Sequence, residues 1–179
     1  MKKKVLKASP KMKLSSLRKI QLLALDVDGI LTDNLIWMTD SGEWRRTFSI
    51  KDGYGLVRLR EAGFDLAIMT GSQSRDIDER VRILNIKHYY PGSTDKWSSF
   101  QKLLKTTGLR PEEVAYMGDD FFDLPVLQSV GFSATAPEAL VEVRRAVDHV
   151  TYAPGGNGAV REVCELLLKA RQKSRKIRN

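Results

Sequence analysis

Two aspartates, Asp26 and Asp28, follow directly on the apolar run Leu22-Leu23-Ala24-Leu25. Aspartate is a poor strand former and costly to bury without a partner. Two carboxylates placed two residues apart at the end of such a run therefore ask for a chemical reason. The arrangement recurs along the chain. The stretch 64–69 (FDLAIM) ends in Thr70-Gly71-Ser72, and 114–117 (VAYM) ends in Gly118-Asp119-Asp120, with Asp123 three residues on. Lys96 stands near the start of the segment after 87–90 (KHYY). Taken singly, each aspartate reads as a helix cap or turn residue. Repeated beside glycines after successive apolar runs, they read as a site. Clustered carboxylates repel unless a cation holds them, and oxygen-only ligands suit Mg2+. A carboxylate can also attack phosphorus and form an aspartyl-phosphate. Anion attacking anion needs neutralisation, which Mg2+ and Lys96 would supply. Alternation puts Asp26 and Asp28 on one side of an extended segment, so one can attack while the other handles the leaving group's proton.

The elements that must position these groups are legible as patterns. Leu22–Leu25 is a short, fully buried strand. Residues 35–40 (LIWMTD) and 43–50 (EWRRTFSI) flank Ser41-Gly42 and predict a β-hairpin. Helices are expected over 54–62, 74–84 (with Ile77, Val81 and Leu84 on one face), 95–107 and 159–170, with Gly63 and Gly108 as C-caps. A short helix near 121–129 and one opened by Pro137 complete the set. Further strands are expected at 64–69, 87–90, 114–117, 131–134 and 148–152. Strands alternating with helices predict an α/β parallel sheet covered on both faces. In such sheets ligands sit beyond the carboxyl ends of the strands, which is where every residue named above falls. Gly155-Gly156-Asn157-Gly158 is the one loop glycine-rich enough to predict mobility.

Composition bounds the class. The chain has 179 residues, 42% hydrophobic and 29% charged, enough for one domain with a sizeable core. The net charge of +8 is unevenly spread. Residues 1–21 carry eight Lys and Arg and no acid, 169–179 carry six more and no acid, and the middle is net −6. That predicts a mildly acidic domain over 21–171 between basic tails at 1–20 and 172–179. No aromatic is interleaved with the tail charges and no nucleic-acid module is legible, so a nucleic-acid partner is not expected. No run approaches the ~18–20 apolar residues that span a bilayer, and the basic N-terminus has no apolar core of a secretory signal. The lone Cys164 permits no internal disulfide, and a cytoplasmic location is the expectation. His88 and His149 lie in strand patterns and read as structural.

The motifs carry a resemblance. Asp26-Val27-Asp28-Gly29-Ile30-Leu31-Thr32-Asp33 resembles the first motif, DxDGxxTD, of the haloacid dehalogenase superfamily of phosphatases. Thr70 matches the second motif, Lys96 the third, and Gly118-Asp119-Asp120-Phe121-Phe122-Asp123 the fourth, GDDxxD. The stretches KDGYGL (51–56), VAYMGDD (114–120) and GGNGAVREVCELLL (155–168) extend the likeness, over about 22–170, to members acting on sugar acid phosphates. The resemblance implies a Rossmann-like fold of the haloacid dehalogenase type, with the 34–50 hairpin in place of a cap domain. It implies Mg2+ as cofactor and Asp26 as nucleophile and metal ligand. Asp28 would be general acid and base and a ligand through its backbone carbonyl, and Asp119 the remaining ligand. Asp120 and Asp123 would orient that shell and Lys96, Thr70 would bond the transferring phosphoryl group, and Lys96 would neutralise it. The sugar would lie near Ser49, Ile50, Lys51, Asp52 and Gly53, with Asp28, Gly71, Ser72, Arg80 and Lys96.

Two further implications follow from the likeness. So small a cap covers its site poorly, and similar proteins form homotetramers in which a neighbour covers each site. Many relatives also carry an arginine for the sugar acid where this chain has Ser72. Arg75, one helical turn on, is the expected substitute. Alternatives stay open at this stage. They are another substrate, such as a nonulosonate 9-phosphate, a non-catalytic binding module, and a phosphate-receiver domain. Retention of both Asp26 and Asp28 argues against the second, and Asp28-Gly29 with the hairpin against the third.

Overall fold

A computed structural model describes residues 17–177, with side chains through residue 172. The basic-tail expectation for residues 1–16 and 178–179 lies outside the described residues. Residues 17–20 do not belong with a tail, because Leu17 and Ile20 are buried in the core. At the other end, the last helix runs through Ile177, so 172–177 continues an element rather than starting a tail.

Six parallel strands form the main sheet in the order β5-β4-β1-β6-β7-β8. They are β1 (Leu22–Leu25), β4 (Asp65–Met69), β5 (His88–Tyr90), β6 (Val114–Met117), β7 (Phe132–Thr135) and β8 (His149–Val150). The period-2 alternation of strands sorts their side chains to two cores. Leu23, Leu25, Leu66, Ile68, Ala115 and Met117 face one, and Leu22, Ala24, Ala67, Met69, Val114 and Tyr116 the other. Helices α1 (Ile50–Glu61), α2 (Arg75–Ile83) and α6 (Ala159–Ile177) cover the first face through Leu56, Leu59, Ile77, Val81, Val160, Cys164 and Leu167. Helices α3 (Lys96–Thr107), α4 (Leu124–Leu127) and α5 (Val141–Ala146) cover the second through Phe100, Leu103, Val126, Leu127 and Val143. This is the parallel α/β sheet covered on both faces that the alternation predicted, in the Rossmann-like layout that the resemblance implied. Its strand order reverses at β1, which pairs with β4 on one side and β6 on the other. The crevice at that reversal is where such sheets hold ligands.

The hairpin departs from expectation in extent. Its strands β2 (Trp37–Met38) and β3 (Trp44–Arg45) are two residues each, in register Trp37 to Arg45 and Met38 to Trp44. The ladder stops at Arg45 because the next residues are committed elsewhere. Arg46 turns inward, and Ser49 caps α1 by accepting from the Asp52 N–H at 3.3 Å. That cap starts the helix at Ile50, four residues before the predicted 54. Helix α5 likewise begins at Val141, not at Pro137. Residues 136–140 first cross the loop after β6, where the Leu140 N–H donates to the Asp119 carbonyl at 3.3 Å. The 155–158 loop is packed as a seam at Gly155 and Gly156. A Cβ on Gly155 would lie 2.1 Å from the Gly29 carbonyl oxygen, and the Gly156 N–H donates to Ile30 O at 3.0 Å. The glycines there serve close approach of two backbones.

Candidate active site

Asp26 leaves β1 still tied to its neighbour strand, its N–H donating to Met117 O at 2.9 Å. Its carboxylate is buried and accepts from the Val27 N–H and from Lys96 Nζ, both at 2.7 Å. Lys96 is itself buried, which only a set of partners permits. Its ammonium also donates to the Met69 carbonyl at 2.7 Å and lies 3.8 Å from Asp123. Three strand ends thus converge on one ammonium: β1 through Asp26, β4 through Met69, and the turn after β6 through Asp123.

Asp123 closes the set from below. It is fully buried and accepts from the Tyr116 hydroxyl at 2.5 Å. Its other oxygen takes the N–H groups of Asp119 (3.0 Å) and Asp120 (3.1 Å). It therefore shapes the Gly118–Asp120 turn that presents Asp119. Opposite, Gly29 at φ +77° clears the space, since a Cβ there would sit 2.1 Å from Asp119 Oδ2. Asp120 does not reach Lys96; its carboxylate caps the next turn by accepting from the Phe121 N–H at 2.5 Å.

Oxygens of Asp26, Asp119 and Asp123 all lie within 4.8 Å of one another. Burial pushes the Asp26 carboxyl up to about 7 against the pull of Lys96. Burial first, then repulsion from Asp26, Asp123 and Asp120, pushes Asp119 up to about 7. Two carboxylates this reluctant to ionise together are what a hard dication relieves. Asp123 is the poorest ligand of the three because its oxygens already accept from the Tyr116 hydroxyl and two backbone N–H groups. Asp26 and Asp119 keep oxygens free. The donor set fits Mg2+, with two carboxylates and room for a phosphate and water.

Thr70 ends β4 buried, its Oγ1 accepting from the Ser72 N–H at 3.1 Å. Asp28 stands at the outer edge of the centre, and its partner is one the sequence did not single out. Arg46 grips it with Nε on Oδ1 at 2.6 Å and Nη2 on Oδ2 at 3.2 Å, while the Ser72 hydroxyl donates to Oδ2 at 2.9 Å. Arg46 was hidden because Arg45-Arg46 in a hairpin pattern reads as solvated charge. Tyr116 was hidden inside an apolar strand run, where it reads as core.

The residues expected around the sugar part company. Arg45, Arg46, Phe48, Arg75, Asp76, Glu79 and Arg80 line a groove of about 590 Å³ beside Asp28. Arg80 lies over the Phe48 ring, donates to Ser49 O at 2.8 Å, and packs against Gly53. Ile50, Lys51 and Gly71 are on the surface. Asp52 is a correction. It is fully buried, and its carboxylate accepts from the Gly158 N–H (3.0 Å) and Arg161 N–H (2.7 Å), capping the start of α6. Fully buried and bound to a helix terminus, it is not among the residues that line the groove. The guanidinium that touches Ser72 is that of Arg46, at 2.9 Å, not that of Arg75, which stays exposed on the groove wall.

A buried strand-end aspartate paired with a lysine, facing a second aspartate across a metal-sized gap, defines an aspartyl phosphatase centre. The family model described as haloacid dehalogenase-like hydrolase matches residues 55–131. A protein of Escherichia coli (strain K12) named 3-deoxy-D-manno-octulosonate 8-phosphate phosphatase KdsC is 43% identical over 154 residues, 86% of this chain and 82% of that protein. The crystal structure of the Yersinia pestis phosphatase of that name superposes with a TM-score of 0.87 at 41% identity, covering 89% of this chain and 86% of the other. The Moraxella catarrhalis phosphatase, solved in complex with magnesium, phosphate and KDO (3-deoxy-D-manno-octulosonate), superposes at 0.86 with 40% identity, over 89% and 91%. The chain belongs to the haloacid dehalogenase-like hydrolases, in the family of the 3-deoxy-D-manno-octulosonate 8-phosphate phosphatases.

Proposed function

We propose that this chain is a Mg2+-dependent phosphatase that hydrolyses KDO 8-phosphate to KDO and inorganic phosphate, a step in making the sugar acid of lipopolysaccharide. The observation that carries this reading is the Asp26–Lys96–Asp119–Asp123 centre at the sheet's reversal point, in a chain 43% identical over 154 residues to phosphatases of that name. Asp26 and Asp119 would hold Mg2+ together with the Asp28 backbone carbonyl. The ion's contribution is to neutralise and orient the phosphoryl group.

The residues divide the rest of the work. An Asp26 oxygen bonds to phosphorus as the bond to the sugar oxygen breaks, and Asp28 gives that oxygen a proton. Water then attacks the aspartyl-phosphate, Asp28 takes back a proton, and phosphate leaves with Asp26 regenerated. Lys96 balances the charge on Asp26 throughout. Thr70 and the Gly71–Ser72 backbone line the phosphoryl position. The groove beyond Arg46, with Arg75 and Arg80 on its wall, is cationic enough to receive the carboxylate end of the sugar.

We further infer a cytoplasmic homotetramer in which neighbouring hairpins complete each site. Leu35, Ile36, Trp37, Met38 and Trp44 are all more than half exposed on this short ribbon, an apolar surface that a monomer rarely leaves uncovered. No helix among the described residues is long and apolar enough to cross a membrane. The deciding experiment is phosphate release from a panel containing KDO 8-phosphate, a nonulosonate 9-phosphate and neutral sugar phosphates, with Mg2+ and with EDTA. KDO 8-phosphate should lead the panel only with Mg2+. A preference for the nonulosonate would move the substrate, and no turnover of any would return the chain to a binding role.

A further inference from the structure

We infer that Arg46 is a positioning residue for the acid–base step, one that fixes the orientation of the Asp28 carboxylate. The inference rests on the phosphatase reading above and deepens it.

Arg46 is the only hairpin residue whose side chain turns into the centre among those described with contacts there. Its side chain is only 8% exposed. Each of its guanidinium nitrogens has a partner: Nε and Nη2 on Asp28, Nη2 also on Ser72 Oγ at 2.9 Å, and Nη1 on Ser74 Oγ at 3.2 Å and near Asp76 at 3.6 Å. Its backbone N–H adds a bond to Asp76 Oδ2 at 2.9 Å. A planar fork held at both ends in this way leaves one orientation for the carboxylate it grips. The Asp76 and Ser74 contacts anchor the fork to the start of α2, while the Asp28 and Ser72 contacts deliver its effect to the site. Ser72 is small enough to admit the guanidinium and to add its own hydroxyl to Asp28. A larger residue there would exclude this arrangement. An arginine that only stapled the hairpin would need Asp76 and Ser74 alone. The bidentate grip on Asp28 is the part such a staple leaves unexplained.

The test uses aryl phosphates, so that it does not depend on which sugar is the substrate. For these, kcat/KM reports the step in which Asp26 is phosphorylated. Phenolate is a poor leaving group and needs the proton from Asp28, whereas 4-nitrophenolate leaves without it. Arg46→Ala should lower kcat/KM for phenyl phosphate by roughly 10- to 100-fold, part of the range general acid catalysis supplies, and for 4-nitrophenyl phosphate by under about 3-fold on the same reasoning. Arg46→Lys, which can hold one carboxylate oxygen, should recover part of the loss. In an Asp28→Asn background the Arg46 change should add almost nothing. Equal losses on both substrates, full additivity with Asp28→Asn, or no loss at all would each overturn the inference. If Arg46→Ala fails to fold, Arg46→Lys and Arg46→Gln carry the same comparison. Inactivity of the unmutated chain on every phosphate would instead strike the phosphatase reading itself.

Discussion

The two halves of the site are built on opposite principles. The inner half is Asp26, Lys96 and Asp123, all buried, with Asp119 half-buried beside them, and backbone holds much of it: strand ends, a Met69 carbonyl and two turn N–H groups. The outer half, Arg75 and Arg80, is made of long side chains on helix α2 that face an open groove. A low-dielectric centre makes each charge count heavily and tolerates little displacement. A solvated cationic groove is adjustable and salt-sensitive. Chemistry is therefore placed where the sheet dictates position, and recognition where substitution is cheap.

Changes in the inner half should have the largest effects. Asp26→Asn removes the nucleophile while keeping the volume, so phosphatase activity should fall by on the order of 10⁴-fold or more, as for other covalent nucleophiles, with circular dichroism unchanged. Near-normal turnover would dissolve the contrast between the halves. Lys96→Met should be nearly as damaging to activity and also destabilising. It leaves Asp26 and Asp123 buried together without their cation, a disruption that typically costs about 3–5 kcal/mol, measurable by urea denaturation.

Metal removal probes the same half through pH. Asp26 and Asp119 titrate near 7 in the folded, metal-free protein, well above the ordinary carboxyl value of about 3.9. Between those values the folded state binds more protons than the unfolded one, so metal-free stability should fall as pH rises from about 4 to about 7. Mg2+ should reverse that loss at neutral pH, since it binds the ionised pair. A Tm of the EDTA-treated protein that rises over this range would mean the carboxylates are not mutually strained.

The outer half should answer more gently. Arg75→Ala should raise KM for KDO 8-phosphate, by roughly tenfold if it makes one charged hydrogen bond of about 1.5 kcal/mol, with little change for 4-nitrophenyl phosphate. Ser72→Arg should raise KM or lower activity rather than restore a sugar contact. The Ser72 hydroxyl already lies 2.9 Å from the Arg46 guanidinium, and a second guanidinium cannot share that place. If Arg75→Ala leaves KM untouched, the groove wall is only solvated charge and the carboxylate is held elsewhere.

Much of this protein was open to reading from the chain alone, and the reason is local. The central strands β1, β4 and β6 are apolar runs followed by Asp, Thr and Gly. The helices show 3.6-residue periodicity with a legible C-cap at Gly108, at φ +70°. Parallel connectivity then sends every strand end to one edge, so the convergence of Asp26, Thr70, Lys96 and Asp119 needed no coordinates. What the chain could not disclose depends on distant partners. A polar residue beside a helix start looks the same whether it faces a ligand or, like Asp52, caps another helix 106 residues away. A glycine run looks the same whether it is loose or, like 155–158, pressed against Gly29. An arginine in a ribbon looks solvated until the tertiary fold turns it, as it turns Arg46, onto the carboxylate of Asp28. Local propensity and pattern determined the elements and the edge where chemistry gathers. Only the packed structure decided which polar groups keep free lone pairs there, because that depends on which atoms arrive first to take them.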